Sequence, residues 1–304
     1  MGDNQMKNLY IVLVIMVLGF GCASNKTDMV LDDCSVNYNN INKIIKFNLP
    51  DSVNLKKFNP LVESEFVKIQ KEGFDVSGYR TENKVFYNEV IKPYLIQYKS
   101  DLQKLPLKEA INEIAIFIHQ AYRAYLGNDF YRWGGDINDL DDPQGEKSRG
   151  KYKYGLDCSG YTTSAYDAAV DLGLLDPSSD AAIFSSKGFE HYCKIYNLKD
   201  GGGIKDTPNN FRVDTKELAV LGKIIFSVKQ GDAPTDEQIK MLQPGDIVGR
   251  SGHFGIIVFI NNQPYYLESG GWVVPNHNWF PYCAKKALEI FARNGNLDIR
   301  RTLP

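Results

Sequence analysis

Two short stretches of this chain carry the residue types from which a nucleophile and its base are made. The first runs Phe130-Tyr131-Arg132-Trp133-Gly134-Gly135 and resumes, after a polar insertion, as Gly155-Leu156-Asp157-Cys158-Ser159-Gly160-Tyr161. Beyond the cysteine, Ala165, Ala168, Ala169 and Leu172 recur at helical spacing until Gly173 and Pro177 stop the run, which predicts a helix starting at Cys158. The unpaired N–H groups and positive dipole end of a helix start favour a thiolate. The second stretch, Leu242-Gln243-Pro244-Gly245-Asp246-Ile247-Val248, leads into Gly252-His253-Phe254-Gly255-Ile256-Ile257-Val258. Its β-branched run makes His253 the first residue of a strand, where a rigid sheet can aim an imidazole at a sulfur. A lone cysteine is more often a buried structural thiol. A cysteine on a helix end facing a histidine on a sheet is instead a nucleophile with its base.

A third group is needed to fix the histidine tautomer. Tyr265-Tyr266-Leu267-Glu268-Ser269 offers Glu268, whose carboxylate is expected to accept the Nδ1 proton of His253. The hairpin register matters here. With Asn262 and Gln263 at a regular tip, Ile257 would face Glu268 and His253 would face Trp272, so an earlier or bulged turn is required. An exposed, salt-bridging Glu268 is the competing assignment, with His277 a distant alternative orienter. His191 is expected to cover surface and His119, inside a helix, to serve packing.

Taken in order, Tyr131-x-Trp133-Gly134-Gly135, Asp157-Cys158-Ser159-Gly160, Pro244-Gly245-Asp246 and Gly252-His253-x-Gly255-Ile256 resemble the NlpC-type cell-wall peptidases. The resemblance covers roughly residues 120 to 304. It implies an α+β, papain-like core with helices packed on a small antiparallel sheet. It also implies cleavage of peptidoglycan stem peptides, typically between D-glutamate and the following diamino acid. No cofactor is expected, and with no C-x-x-C pair among the five cysteines no metal either. By that resemblance Cys158 attacks the carbonyl, His253 carries the proton, and Tyr131, Asp157 and Ser159 lie beside the substrate. Asp157 would bind the free amine of a stem peptide; its competing role is to cap the Cys158 helix. An amidase of the related Cys-His wall hydrolases and a noncatalytic envelope-binding lipoprotein on the same fold are the alternatives. Asp157 and Ser159 around the cysteine favour the peptidase, and the presence of both Cys158 and His253 favours a catalyst.

The elements that must hold these groups are partly written in the apolar pattern. With 304 residues and 43% hydrophobic content the chain can bury a full core. Ile111, Ile114, Ala115, Ile118 and Tyr122 form a stripe along a helix expected from about Leu107 to Leu126. Val85, Tyr87, Val90, Ile91, Tyr94 and Leu95 mark a smaller helical region within 46–104, ahead of a peptidase domain over 105–304 with an insertion at about 174–240. That insertion is expected to add a lid or wall to the groove.

Residues 1–21 read as a signal peptide, because the apolar run Leu9 to Phe20 is shorter than the ~20 residues of a permanent span. Leu18-Gly19-Phe20-Gly21-Cys22 resembles a lipobox, which makes Cys22 a lipidation site and 22–45 a tether. The expected location is thus the cell envelope, anchored to a membrane through lipid and facing the periplasm or exterior. A net charge of −2 without a Lys/Arg block disfavours nucleic acid as a partner. Of the five cysteines, Cys34, Cys193 and Cys283 remain for at most one disulfide, whose pairing the spacing leaves open.

Overall fold

The computed structural model describes residues 83–126, 134–138, 155–198, 211–250, 252–270 and 281–304. Its first elements are short and helical: α1 (Asn83–Phe86), a π-helical turn (Tyr87–Ile91), α2 (Lys92–Gln97) and α3 (Lys99–Leu102). Pro93 accounts for the irregularity, since it has no N–H to give the carbonyl four residues back. The Lys92 N–H reaches five residues back, to the Tyr87 carbonyl.

The long helix α4 (Leu107–Leu126) runs as the apolar stripe predicts, and Ile111, Ile114, Ala115, Ile118 and Tyr122 are all buried. Its opposite face is covered as well: Asn112, Glu113, His119 and Gln120 are buried too. Asn112 shows how a polar residue is tolerated there. Its amide donates to the Phe259 carbonyl at 3.0 Å and accepts from the Phe259 N–H at 2.6 Å, so both backbone groups of one strand residue are satisfied by one side chain. His119 packs edge-on against Tyr161, with centroids 5.4 Å apart.

Helix α5 (Cys158–Asp171) lies against α4 and is buried along nearly its whole length. It ends where glycine and proline predict: Gly173 takes φ +68°, and the Leu174 N–H returns to the Ala169 carbonyl at 2.9 Å. Next come a 3₁₀ turn (Asp180–Ala182), α6 (Ser186–Ile195) and α7 (Thr215–Leu218). The remaining elements are β1 (Lys223–Val228), α8 (Asp236–Lys240), β2 (Ile247–Arg250), β3 (His253–Ile260), β4 (Gln263–Leu267), β5 (Tyr282–Cys283), α9 (Ala284–Ala292) and β6 (Leu297–Arg301).

The six strands form one sheet in the order β1-β6-β2-β3-β4-β5, antiparallel at every pairing, and the architecture is α+β. Phe254, Ile256, Val258 and Ile260 alternate along β3 into the core that α4 and α5 also fill. Across the sheet, α9 brings Phe291 against the rings of His253 and Tyr266. Phe86, Tyr87, Val90, Ile91, Leu95 and Leu102 belong to the same core as α4 and α5, so the boundary expected at 104/105 does not separate two cores. The stretch expected as an inserted lid also contributes to the sheet, since β1 is its edge strand beside β6.

Two turns fix the register around the histidine. Gln243-Pro244-Gly245-Asp246 closes with the Asp246 N–H on the Gln243 carbonyl at 3.1 Å, Gly245 standing at φ +85° where a side chain would be strained. Asp246 is then held by Arg301, through Nε on Oδ1 at 2.6 Å and Nη2 on Oδ2 at 2.8 Å, tying the turn to β6. The β3–β4 hairpin turns at Asn261 and Asn262, with φ +52° and +61°, a two-residue turn of the kind that matches strand twist.

Candidate active site

Cys158 opens α5 and His253 opens β3, and the fold brings the two side chains together. The Cys158 sulfur lies close enough for its charge to act on the imidazole. Glu268 completes the group: its Oε2 bonds to His253 Nε2, and both side chains are almost fully buried. The atom differs from the one expected. Glu268 meets Nε2 and not Nδ1. The hairpin explains why Glu268 is in reach. Turning at Asn261-Asn262 pairs Ile256 with Leu267 and Ile257 with Tyr266, so Glu268 comes next, opposite Gly255, on the face that carries His253. This is the earlier turn that the chemistry requires.

Electrostatics favour an imidazolium at this position. Burial by itself works against the charged ring, but the Glu268 carboxylate and a charge on the Cys158 sulfur outweigh it, and the His253 pKa is pushed up to about 10. The ring is steadied from the other side by the edge of Phe291, at 5.4 Å between centroids, and the Arg250 guanidinium lies over that same phenyl ring. Tyr266 donates from its hydroxyl to Glu268 Oε2 at 3.3 Å. Burial first, and then the Glu268 charge, raise both Tyr266 and Tyr282, so these phenols stay protonated beside the acid. Gly255 makes room for the arrangement: a Cβ there would sit 2.5 Å from the Tyr266 ring.

The turn that carries Cys158 is pinned from several directions. Asp157 is the N-cap of α5, its Oδ1 accepting from the Gly160 N–H at 2.7 Å. The Asp157 N–H donates to the Gly135 carbonyl at 3.0 Å, and a Cβ on Gly160 would fall 2.0 Å from that carbonyl oxygen. The Gly134-Gly135 and Ser159-Gly160 motifs, distant in sequence, therefore meet backbone to backbone. Ser269 donates to the Leu156 carbonyl at 2.6 Å. Asn83 clamps Gly155 from both ends, donating to its carbonyl at 2.7 Å and accepting from its N–H at 2.9 Å.

Asp157 and Ser159 flank the cysteine as expected, but the geometry around them is unlike an open substrate contact. Asp157 Oδ1 also accepts from the Ser159 hydroxyl at 3.0 Å. Its Oδ2 accepts from the Gly134 N–H at 2.9 Å and from Arg212 Nη2 at 2.5 Å. Three donors, with the single Ser159 proton shared between this carboxylate and Asp214, thus occupy the group expected to hold a substrate amine. Ser159 is fully buried, with Asp214 Oδ1 2.9 Å from its hydroxyl.

Tyr131, Cys22, His277 and Trp272 lie outside the described residues. His191 is half-buried on α6, where its charge bears on Asp176. Cys283 is disulfide-bonded while Cys193 is a buried thiol, so Cys193 is not its partner. Among the described residues no group of His, Cys, Asp and Glu is arranged to hold a metal ion, and no helix is long and apolar enough to cross a membrane.

Tyr266, Tyr282, Arg212, Asp214, Asn83 and Ser269 were not identified from the sequence. For Tyr266 a signal existed, since it stands two residues from Glu268 and alternation puts both on one face. Searched against protein-family models, curated proteins and solved structures, the chain matches none of them.

Proposed function

We propose that the protein is a cysteine peptidase of the NlpC type, with a papain-like core, that hydrolyses peptidoglycan stem peptides at the bond between D-glutamate and the following diamino acid. The observation that carries the proposal is the ordered contact of Cys158, His253 and Glu268, a nucleophile at a helix start joined to a base that is itself held by a buried acid. In the resting site an imidazolium donates Nε2–H to Glu268, and its Nδ1–H is the proton kept for the reaction. The thiolate attacks the amide carbon, and the Nδ1 proton passes to the leaving amine. Neutral His253 then accepts a proton from water, which attacks the thioester and frees Cys158. The Asp157 cap takes the Gly160 N–H, leaving the N–H groups of Cys158 and Ser159, which have no acceptor within the helix, to meet the oxyanion. Cys22, as a lipidated residue, would hold the enzyme at a membrane of the cell envelope with its substrate, the wall peptides, alongside.

The test is digestion of purified peptidoglycan with the soluble domain, the released fragments being identified by mass spectrometry. Fragments ending in D-glutamate, absent with Cys158→Ala, are the expected result. Release of intact stem peptides from the sugar would assign the amidase activity instead, and no Cys158-dependent fragment at all would remove the enzyme from the account.

A further inference from the structure

Arg212 belongs to none of the motifs around the cysteine, yet it touches residues on both sides of it. It sits in the extended segment leading to α7 and is 3% exposed. Nη2 lies 2.5 Å from Asp157 Oδ2 and 3.4 Å from the Ser159 hydroxyl. Nε lies 3.2 Å from Asp136 Oδ2, and Nη1 is 3.8 Å from Asp214 Oδ2. Asp214 both caps α7 and meets Ser159. One guanidinium therefore stands among three carboxylates, and one of those belongs to the residue directly before the nucleophile.

That position has two electrostatic consequences. A bare carboxylate at Asp157 would oppose the negative charge that develops on the attacked carbonyl, and it would draw cations to the groove. In a buried setting such interactions are several times stronger than in water. Arg212 counters both effects, because its shortest contact is with Asp157. We propose that Arg212 sets the substrate charge preference at Cys158: by occupying Asp157 it makes that residue a helix cap instead of a cation-binding group, so the groove does not demand a free amine beside the scissile bond. This rests on Cys158 being the reacting group, and it refines the substrate class to stem peptides whose amino end is acylated as well as those whose amine is free.

The test reads local charge at the sulfur without requiring hydrolysis. In a Cys193→Ser background, Cys158 is labelled with a cationic aminoethyl methanethiosulfonate and with its neutral ethyl counterpart, and the rates are followed by mass spectrometry. Arg212→Gln should raise the cationic-to-neutral rate ratio about tenfold, the effect of about 1.4 kcal/mol. The gain should shrink in concentrated salt. Arg212→Lys should keep the parent ratio, and Asp157→Asn added to Arg212→Gln should abolish the gain. Equal changes for both reagents would mean that Arg212 only supports the fold, and would overturn the proposal.

Should Arg212→Gln fail to fold, Asp157→Asn alone carries the same test. It removes one of the three carboxylates around the guanidinium and should lower the ratio; an unchanged ratio sinks the idea. On peptides, the parent enzyme should cleave free-amine and N-acetylated stem peptides at rates within about a factor of three, and Arg212→Gln should shift preference toward the free amine. A parent enzyme that labels as described but cleaves neither peptide would sink the peptidase activity and leave the charge-setting role standing.

Discussion

Replacing Glu268 by glutamine removes one charge from the Cys158–His253–Glu268 group while leaving its size almost unchanged. In the native site the His253 pKa is pushed up to about 10, against about 6.5 for an ordinary imidazole. Burial opposes that rise, so its source is the charge of Glu268 together with that of the Cys158 sulfur. With the carboxylate gone, burial acts with less opposition and His253 loses its proton at lower pH than in the parent. Breaking a buried charged pair by removing one partner costs about 3–5 kcal/mol. Because glutamine keeps the volume and the imidazole can discharge, the loss should fall at the lower end. The sign of the pH dependence comes from the direction of the shift. A folded pKa above the unfolded one means that the folded protein binds more protons between about pH 6.5 and 10, so the pair's contribution is whole below about pH 6.5 and drains away as pH rises toward 10. The difference in melting temperature between the parent and Glu268→Gln should therefore be largest at pH 6 and shrink toward pH 10. Activity should fall about 10²–10⁴-fold, the usual worth of a positioned acid–base group. Alkylation of Cys158 by iodoacetamide at pH 6 should slow in parallel. If the variant's stability and alkylation profiles overlay those of the parent between pH 6 and 10, Glu268 does not govern the histidine and the assignment fails.

Asn83→Ala removes both clamps on Gly155 and leaves its buried backbone groups short of partners, which should cost about 2 kcal/mol in unfolding free energy and lower kcat more than it changes KM. A variant with full stability and full kcat would show that the helices before α4 do not help to hold the nucleophile's turn. Gly160→Ala forces a methyl group into the Gly135 carbonyl and should destabilise by about 1–3 kcal/mol or more, with the melting temperature as the measure. Cys22→Ser should shift the protein from the membrane pellet to the soluble fraction without altering its catalytic constants; retention in the pellet would rule out the lipid anchor.

Cys158 and His253 were legible because each stands where a local pattern announces an element boundary. Alanines at helical spacing mark the helix that Cys158 opens, and a β-branched run marks the strand that His253 opens. Glu268 was legible as a residue but not as an atom or a register. Its placement depends on Asn261 and Asn262 both taking positive φ, and asparagine, as a residue that tolerates this, permits such a turn without requiring it. The six-stranded sheet was partly hidden for a different reason. Lys223–Val228 reads as an apolar run in a polar stretch, and only its pairing with β6 at the far end of the chain makes it the sheet's edge. Arg212 and Asn83 left no signal. A single polar residue has no period, and their partners lie 55 and 72 residues away, so their roles exist only once the topology has been assembled.

Asp157 shows most clearly how such long-range pairing alters a chemical assignment. From its neighbours alone the residue fits two roles equally well, because an aspartate just before a helix is a good cap and an aspartate beside a nucleophile is a good amine contact. What decides between them is acceptor capacity. A carboxylate offers about four lone-pair directions; Gly160, Gly134 and Arg212 direct donors to its two oxygens at 2.5–2.9 Å, and the Ser159 hydroxyl, shared with Asp214, lies at 3.0 Å. An incoming ammonium would have to displace one of them, and the short contact with a buried guanidinium is the most costly to give up. The charge beside Cys158 is therefore a property of the fold that joins Arg212 to the Cys158 helix, and not of the Asp157-Cys158-Ser159-Gly160 motif by itself.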